Sequence, residues 1–207
     1  MRLFRPSPLL LCAVASAAVL AAWPQSALAG SGTDNSAPYN LNRDLTVRVT
    51  YPRFLRFRVG AVGAGVVNQV LFTATTANIG NAVPIAGTGG ETGGGSAANV
   101  EVVGNNGQVT ITATNNSGGN GLGTGNAGDG FINYNQISTT TNNASLPAPT
   151  LSNAGGTNSL PVLNSALVTQ RTAVWTYSYL NATIPSAGAY GAGGGTGGRV
   201  TYTATMP

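Results

Sequence analysis

The sequence predicts an all-β fold: a single antiparallel β-sandwich of about seven or eight strands joined by long loops rich in glycine and asparagine. Three observations carry this. No segment sustains the apolar period of a helix, whereas several alternate apolar and polar residues with a period of two. The alternating segments are rich in valine, isoleucine, threonine and aromatic residues, which fit a pleated, half-buried surface. The segments between them, such as "GTGGETGGGSAAN" and "NNSGGNGLGTGNAGDG", are dense in turn and loop signals.

Residues 1–29 read as a cleaved secretory signal. Arg2 and Arg5 form a basic start, "LLLCAVASAAVLAAW" an apolar run, and Ala27 and Ala29 a small-residue cleavage pattern before Gly30. The apolar run falls short of the ~20 residues of a membrane span, so the mature chain is expected to have no transmembrane segment. Residues 30–43 read as a flexible polar arm and residues 44–207 as the sandwich domain. Such a signal predicts export to the periplasm, the cell surface or the outside of the cell.

Within the domain, "LTVRVTY" sets Leu45, Val47, Val49 and Tyr51 on one face, with Thr46, Arg48 and Thr50 on the other. The same parity continues through Leu55, Phe57 and Val59, opposite Arg56 and Arg58, with Pro52 marking a break between two strands, 44–51 and 53–59. "NQVLFTAT" (68–75) is a further strand. "NVEVVGNNGQVTITATN" (99–115) reads as a tight hairpin turning at Asn106–Gly107. "FINYNQIS" (131–138), "TAVWTYSYLNAT" (172–183) and "RVTYTATM" (199–206) complete the set, with a helical turn at "NSALVTQ" (164–170). Trp175 falls on the alternating face of its strand and is assigned to the core.

Composition excludes much chemistry. The chain has no histidine and no lysine, and its one cysteine lies in the leader. That removes Ser–His–Asp and Cys–His catalysis, Schiff bases and the usual zinc ligand sets. Five acids remain: Asp34, Asp44, Glu91, Glu101 and Asp129, of which Asp34 lies in the arm and Glu91 in a glycine run. Asp129 in "NAGDGF" suits an ordinary Asp–Gly turn better than a calcium site, which wants several carboxylates. The pattern G-x-G-x-x-G occurs at Gly123, Gly125 and Gly128 and at Gly193, Gly195 and Gly198, with no helix to follow either. The sequence therefore predicts no enzyme, no catalytic residue, no cofactor and no metal site.

What remains is charge and edges. Residues 43–59 hold five of the nine arginines. Without the leader the chain carries seven arginines against five acids, a net charge of about +2, too small to imply nucleic acid. Arg48, Arg53, Arg56 and Arg58 are candidate contacts for an anionic surface or glycan. Strands such as "VTITAT" and "VTYTAT" lack the lysines that commonly guard exposed edges. Leu45, Val47, Val49 and Tyr51 have the alternation of a strand that could be added to another sheet.

The leader, the strand "LTVRVTY" and the ending "IPSAGAYGAGGGTGGRVTYTATMP" together resemble bacterial secreted fimbrial-type and spore-coat-like β-sandwich proteins. The resemblance covers the two ends of the chain, with Pro185, Gly188 and Tyr190 preceding a last strand from Val200 to Met206. It implies an immunoglobulin-like or fimbrial-like sandwich whose subunits polymerise by donating an N-terminal strand. The sequence thus predicts a secreted structural or adhesive subunit that self-associates or joins another envelope protein. A module binding glycans or anionic envelope polymers is the alternative.

Overall fold

The computed structural model describes residues 33–63, 68–91, 95–193 and 196–207. The predicted leader, 1–29, lies outside the described residues, as does part of the second glycine pattern, at 194–195. The chain divides into two units, Met1–Thr50 and Tyr51–Pro207.

In the first unit, residues 33–50 form no strand. Local order comes from Asp34. Its Oδ1 accepts the N–H of Ser36 at 3.0 Å and its Oδ2 that of Asn40 at 2.9 Å. Those two donors, Asn40 first, hold the carboxyl below the usual carboxylate range. Among the described residues the predicted strand 44–51 has no partner, because alternation gives a segment one apolar face but supplies no neighbour to complete its hydrogen bonds.

The second unit is all-β and antiparallel, with ten strands and two single 3₁₀ turns among the described residues. β9 (Thr169–Tyr179) is its axis. It pairs along one edge with β5 (Ala97–Gly104) and β3 (Ile85–Ala86), and along the other with β7 (Ile137–Thr141). β1 (Leu55–Val59) adds to the far side of β5, from Leu55 opposite Gly104 to Val59 opposite Val100. A three-stranded sheet runs β10 (Val200–Thr205), β6 (Thr110–Asn115), β8 (Thr157–Ser159), and a small one pairs β2 (Val70–Leu71) with β4 (Thr88–Gly89).

Inward residues of the two larger sheets meet in one core. Val100 and Val102 of β5, Ala173 and Trp175 of β9 and Ile111 of β6 are buried together with Val109 and Leu146. Leu55, Phe57, Val59, Tyr177, Tyr202 and Ala204 are partly buried and pack against this cluster. The alternation read from the sequence holds: in β10 Val200, Tyr202 and Ala204 are half-buried, while Thr201, Thr203 and Thr205 are exposed. Trp175 is wholly buried, donates its indole N–H to the Leu146 carbonyl at 3.2 Å, and lies 5.3 Å from the Tyr202 ring.

Three expectations are corrected. Segment 99–115 is no hairpin, since β5 and β6 belong to different sheets and Asn105–Val109 crosses between them. Only Gly107, at φ +118°, takes a positive dihedral there, where a tight hairpin turn would need Asn106 to do so as well. Segment 164–170 makes a bridged turn, Ser165 to Val168, instead of a helical one. Segment 68–75 is a strand only at Val70–Leu71, because its partner β4 is just as short.

Trp175 fills the core without any disulfide to share the load. Trp175→Ala is expected to cost about 3–5 kcal/mol, read as a lower midpoint in chemical denaturation followed by circular dichroism.

Candidate functional site

Three features stand out: an exposed apolar segment, an arginine–glutamate cluster, and an apolar groove.

The segment is the one the sequence singled out. Leu45, Val47, Val49 and Tyr51 are 84, 76, 69 and 82% exposed, and among the described residues none has a strand partner. Burying one such side chain is worth about 1.5–3 kcal/mol. Four in alternation on one short segment form the kind of apolar surface that marks an interaction site. Where the chain enters the second unit it is clasped. The Asn105 side chain donates to the Pro52 carbonyl at 2.8 Å and accepts the Phe54 N–H at 2.9 Å. One amide thus satisfies both polar groups flanking Arg53 just before β1 begins.

The candidate arginines divide. Arg48 and Arg53 are exposed. Arg56 pairs with Glu101. Arg58 lies 3.4 Å from Glu91 Oε1, and its Nε lies 3.9 Å from Glu101 Oε2. Register explains the meeting, since Arg58 is directly opposite Glu101 in the β1–β5 ladder. Glu91 is fixed through its backbone and its side chain. Its N–H reaches the Ala97 carbonyl at 2.9 Å, and its Oε2 accepts the Asn99 N–H at 2.9 Å. Preceding it, Gly90 sits at φ +81° with its Cα facing the Ala97 backbone, a place with no room for a side chain. The outer face of β1 is therefore a neutralised ion cluster. Each such pair contributes about 0–1 kcal/mol at a solvated surface. Glu91 is thus paired with Arg58, and Glu101 with Arg56 and Arg58.

The groove was not legible in the sequence. A cavity of about 1110 Å³ is lined by Phe57 and Val59 of β1 and by Val200 and Tyr202 of β10, with Phe72 and Tyr177 also in its wall. That exceeds the ~300–1,000 Å³ typical of small-molecule pockets. The Tyr177 and Tyr202 hydroxyls meet at 3.1 Å across the two sheets. Burial pushes both phenols above their ordinary value, with the Tyr177 charge adding to the effect on Tyr202. Tyr134, also in this wall, donates to the Gly197 carbonyl, and burial pushes it up to about 12.

Asp129 closes a 3₁₀ turn, Ala127–Asp129, accepting from Thr124 Oγ1 at 2.7 Å and Asn126 Nδ2 at 3.2 Å. That turn overlaps the glycine pattern at 123–128, and among the described residues no α-helix follows it. Among the described residues no three His, Cys, Asp or Glu side chains gather as a metal-ligand group. Trp175, being buried, presents no face for stacking a sugar. No family model matches the chain, nor does any curated protein or solved structure.

The tyrosines give this site a pH signature. Their folded values lie above the unfolded value of about 10. Stability they contribute is therefore complete below pH 10 and is lost as the pH rises through about 10 to 12, by up to about 1.4 kcal/mol per pH unit for each group held back. Denaturation midpoints should fall over this interval, and tyrosinate absorbance should show phenols that ionise only on unfolding.

Proposed function

We propose that this protein is a secreted, non-enzymatic structural or adhesive subunit of a bacterial envelope or extracellular filament, assembling by β-strand addition. One observation carries the reading: Leu45, Val47, Val49 and Tyr51 lie exposed on alternate positions of an unpaired, strand-length segment. An unpaired strand with one apolar face gains most from a sheet edge. Main-chain bonds then supply affinity, and pockets for alternate side chains supply register. The two larger sheets sharing one core support the β-sandwich as the body that carries this arm. The absence of lysine and histidine from the chain, and the pairing of Glu91 and Glu101 with arginines, favour a structural role over a catalytic one.

The test is the mass distribution of the chain exported with its leader and purified, measured by light scattering across a concentration series. Wild type should form concentration-dependent assemblies, and Val47→Asp/Val49→Asp should remain monomeric with an unchanged circular dichroism spectrum. A wild type that stays monomeric at every concentration overturns the proposal.

A further inference from the structure

We infer that the cavity walled by β1, β9 and β10 binds a single-chain amphiphile, a long acyl chain ending in a carboxylate, with Arg199 taking the anionic end. Such a site stands whether or not the arm assembles subunits.

The wall suits a chain in shape and in chemistry. Phe57 and Val59 of β1, and Phe72 and Ile79 from the segment after β2, supply apolar surface. Tyr177 and Tyr179, alternate residues of β9, line it as well. Residues 199–202 line it without a break, about 10 Å of strand-like backbone. The cavity is therefore drawn out along its strands. Methylene groups bury against such a surface without needing directed bonds.

The buried polar groups of this wall are taken up by the protein itself. The Tyr177 and Tyr202 hydroxyls bond to each other at 3.1 Å, and Tyr134 donates to the Gly197 carbonyl. Tyr190 donates to the Ser186 carbonyl at 3.0 Å. Asn181 donates to the Asn78 carbonyl at 2.6 Å and accepts the Gly80 N–H at 2.9 Å. The Tyr179 hydroxyl has no partner but is sealed from solvent. A sugar would need such groups free, to replace the water bonds it gives up on entry. An acyl chain needs none of them.

What stays uncommitted is a cation. The chain's five carboxylates all lie outside this wall, which contains Arg199. The Arg199 backbone is held by Asn116, whose Oδ1 accepts its N–H at 3.0 Å and whose own N–H donates to its carbonyl at 3.2 Å. Its side chain is exposed, and among the described residues the guanidinium makes no hydrogen bond and no ion pair. Arg56 and Arg58, by contrast, pair with glutamates, and Arg171 donates to the Val162 and Leu163 carbonyls. A guanidinium presents parallel donors that match a carboxylate. Set beside a drawn-out apolar wall, it gives both parts of such an amphiphile a place.

The experiment titrates the chain, exported with its leader and purified, with cis-parinaric acid, a fluorescent long-chain carboxylate. The probe should bind saturably, one molecule per chain. Hexadecanoate should displace it, and the methyl ester of hexadecanoate should do so about tenfold less well. Arg199→Gln should weaken the probe by about tenfold, Arg199→Lys should restore much of the loss, and added salt should bring wild type towards Arg199→Gln. Ile79 is 41% exposed, so Ile79→Asp places a carboxylate in the wall without burying it, and should weaken the probe by a similar factor with an unchanged circular dichroism spectrum. Absence of saturable binding overturns the site. So does displacement by acid and ester alike with Arg199→Gln unaffected, or binding that Ile79→Asp leaves intact. Binding to phospholipid vesicles without binding of the monomeric probe overturns it in favour of a membrane contact. Probe binding that appears only in Val47→Asp/Val49→Asp shows the chain's own arm as the occupant, and overturns it too. Light scattering of wild type reads assembly separately, so failure of either proposal leaves the other standing.

Discussion

The structure depends on β9 being satisfied on both sides while its inward face carries Trp175. β5, β3 and β7 take up its main-chain groups, and the indole spans the interior to reach Leu146 and Tyr202. A chain with a single cysteine cannot cross-link its own unfolded state, so contacts made by one large side chain carry a correspondingly large share of stability. Everything of functional interest lies at the periphery of this arrangement. β1 is two strands away from Trp175 in one sheet, and β10 faces it from the other.

The uneven charge of the sequence follows from that periphery. An edge strand whose inner face is Leu55, Phe57 and Val59 needs an outer face that stays wet. Arginine does this while its long stem still covers apolar surface. The strand's position also gives Arg56 and Arg58 a neighbour, β5, on which Glu101 stands directly across, while Glu91 is delivered by the tight backbone approach at Gly90. The five-arginine stretch is thus two different things: Arg56 and Arg58, which are paired with glutamates, and Arg43, Arg48 and Arg53, which remain exposed.

Side-chain parity was the most legible property of this sequence. Trp175, Tyr177, Ile111, Ala113, Val200 and Tyr202 all lie on the faces that alternation assigns them, because burial of one face acts on every second residue. Pairing was much less legible. Asn106–Gly107 looks locally like a hairpin turn, yet the five residues from Asn105 to Val109 carry the chain across to a second sheet, where β6 finds β10 and β8, far away in sequence. The same limit explains segment 44–51. Its pattern matches that of 55–59, but only the latter has a partner, and a pattern records a preference for burial without recording whose surface provides it. The groove depends on Phe57, Phe72, Tyr177 and Tyr202 coming together from separate parts of the chain, and no short motif announces that.

The clasp at Asn105 has a mechanical consequence. It fixes the chain at the very start of β1, so tension applied along the axis of that strand enters the sheet lengthwise. The five ladder positions from Leu55 to Val59 then resist together in shear, where a pull applied sideways would unzip them one after another. A single asparagine side chain, by choosing where the load enters, makes a short edge strand a fit anchor for whatever is attached to residues before Pro52.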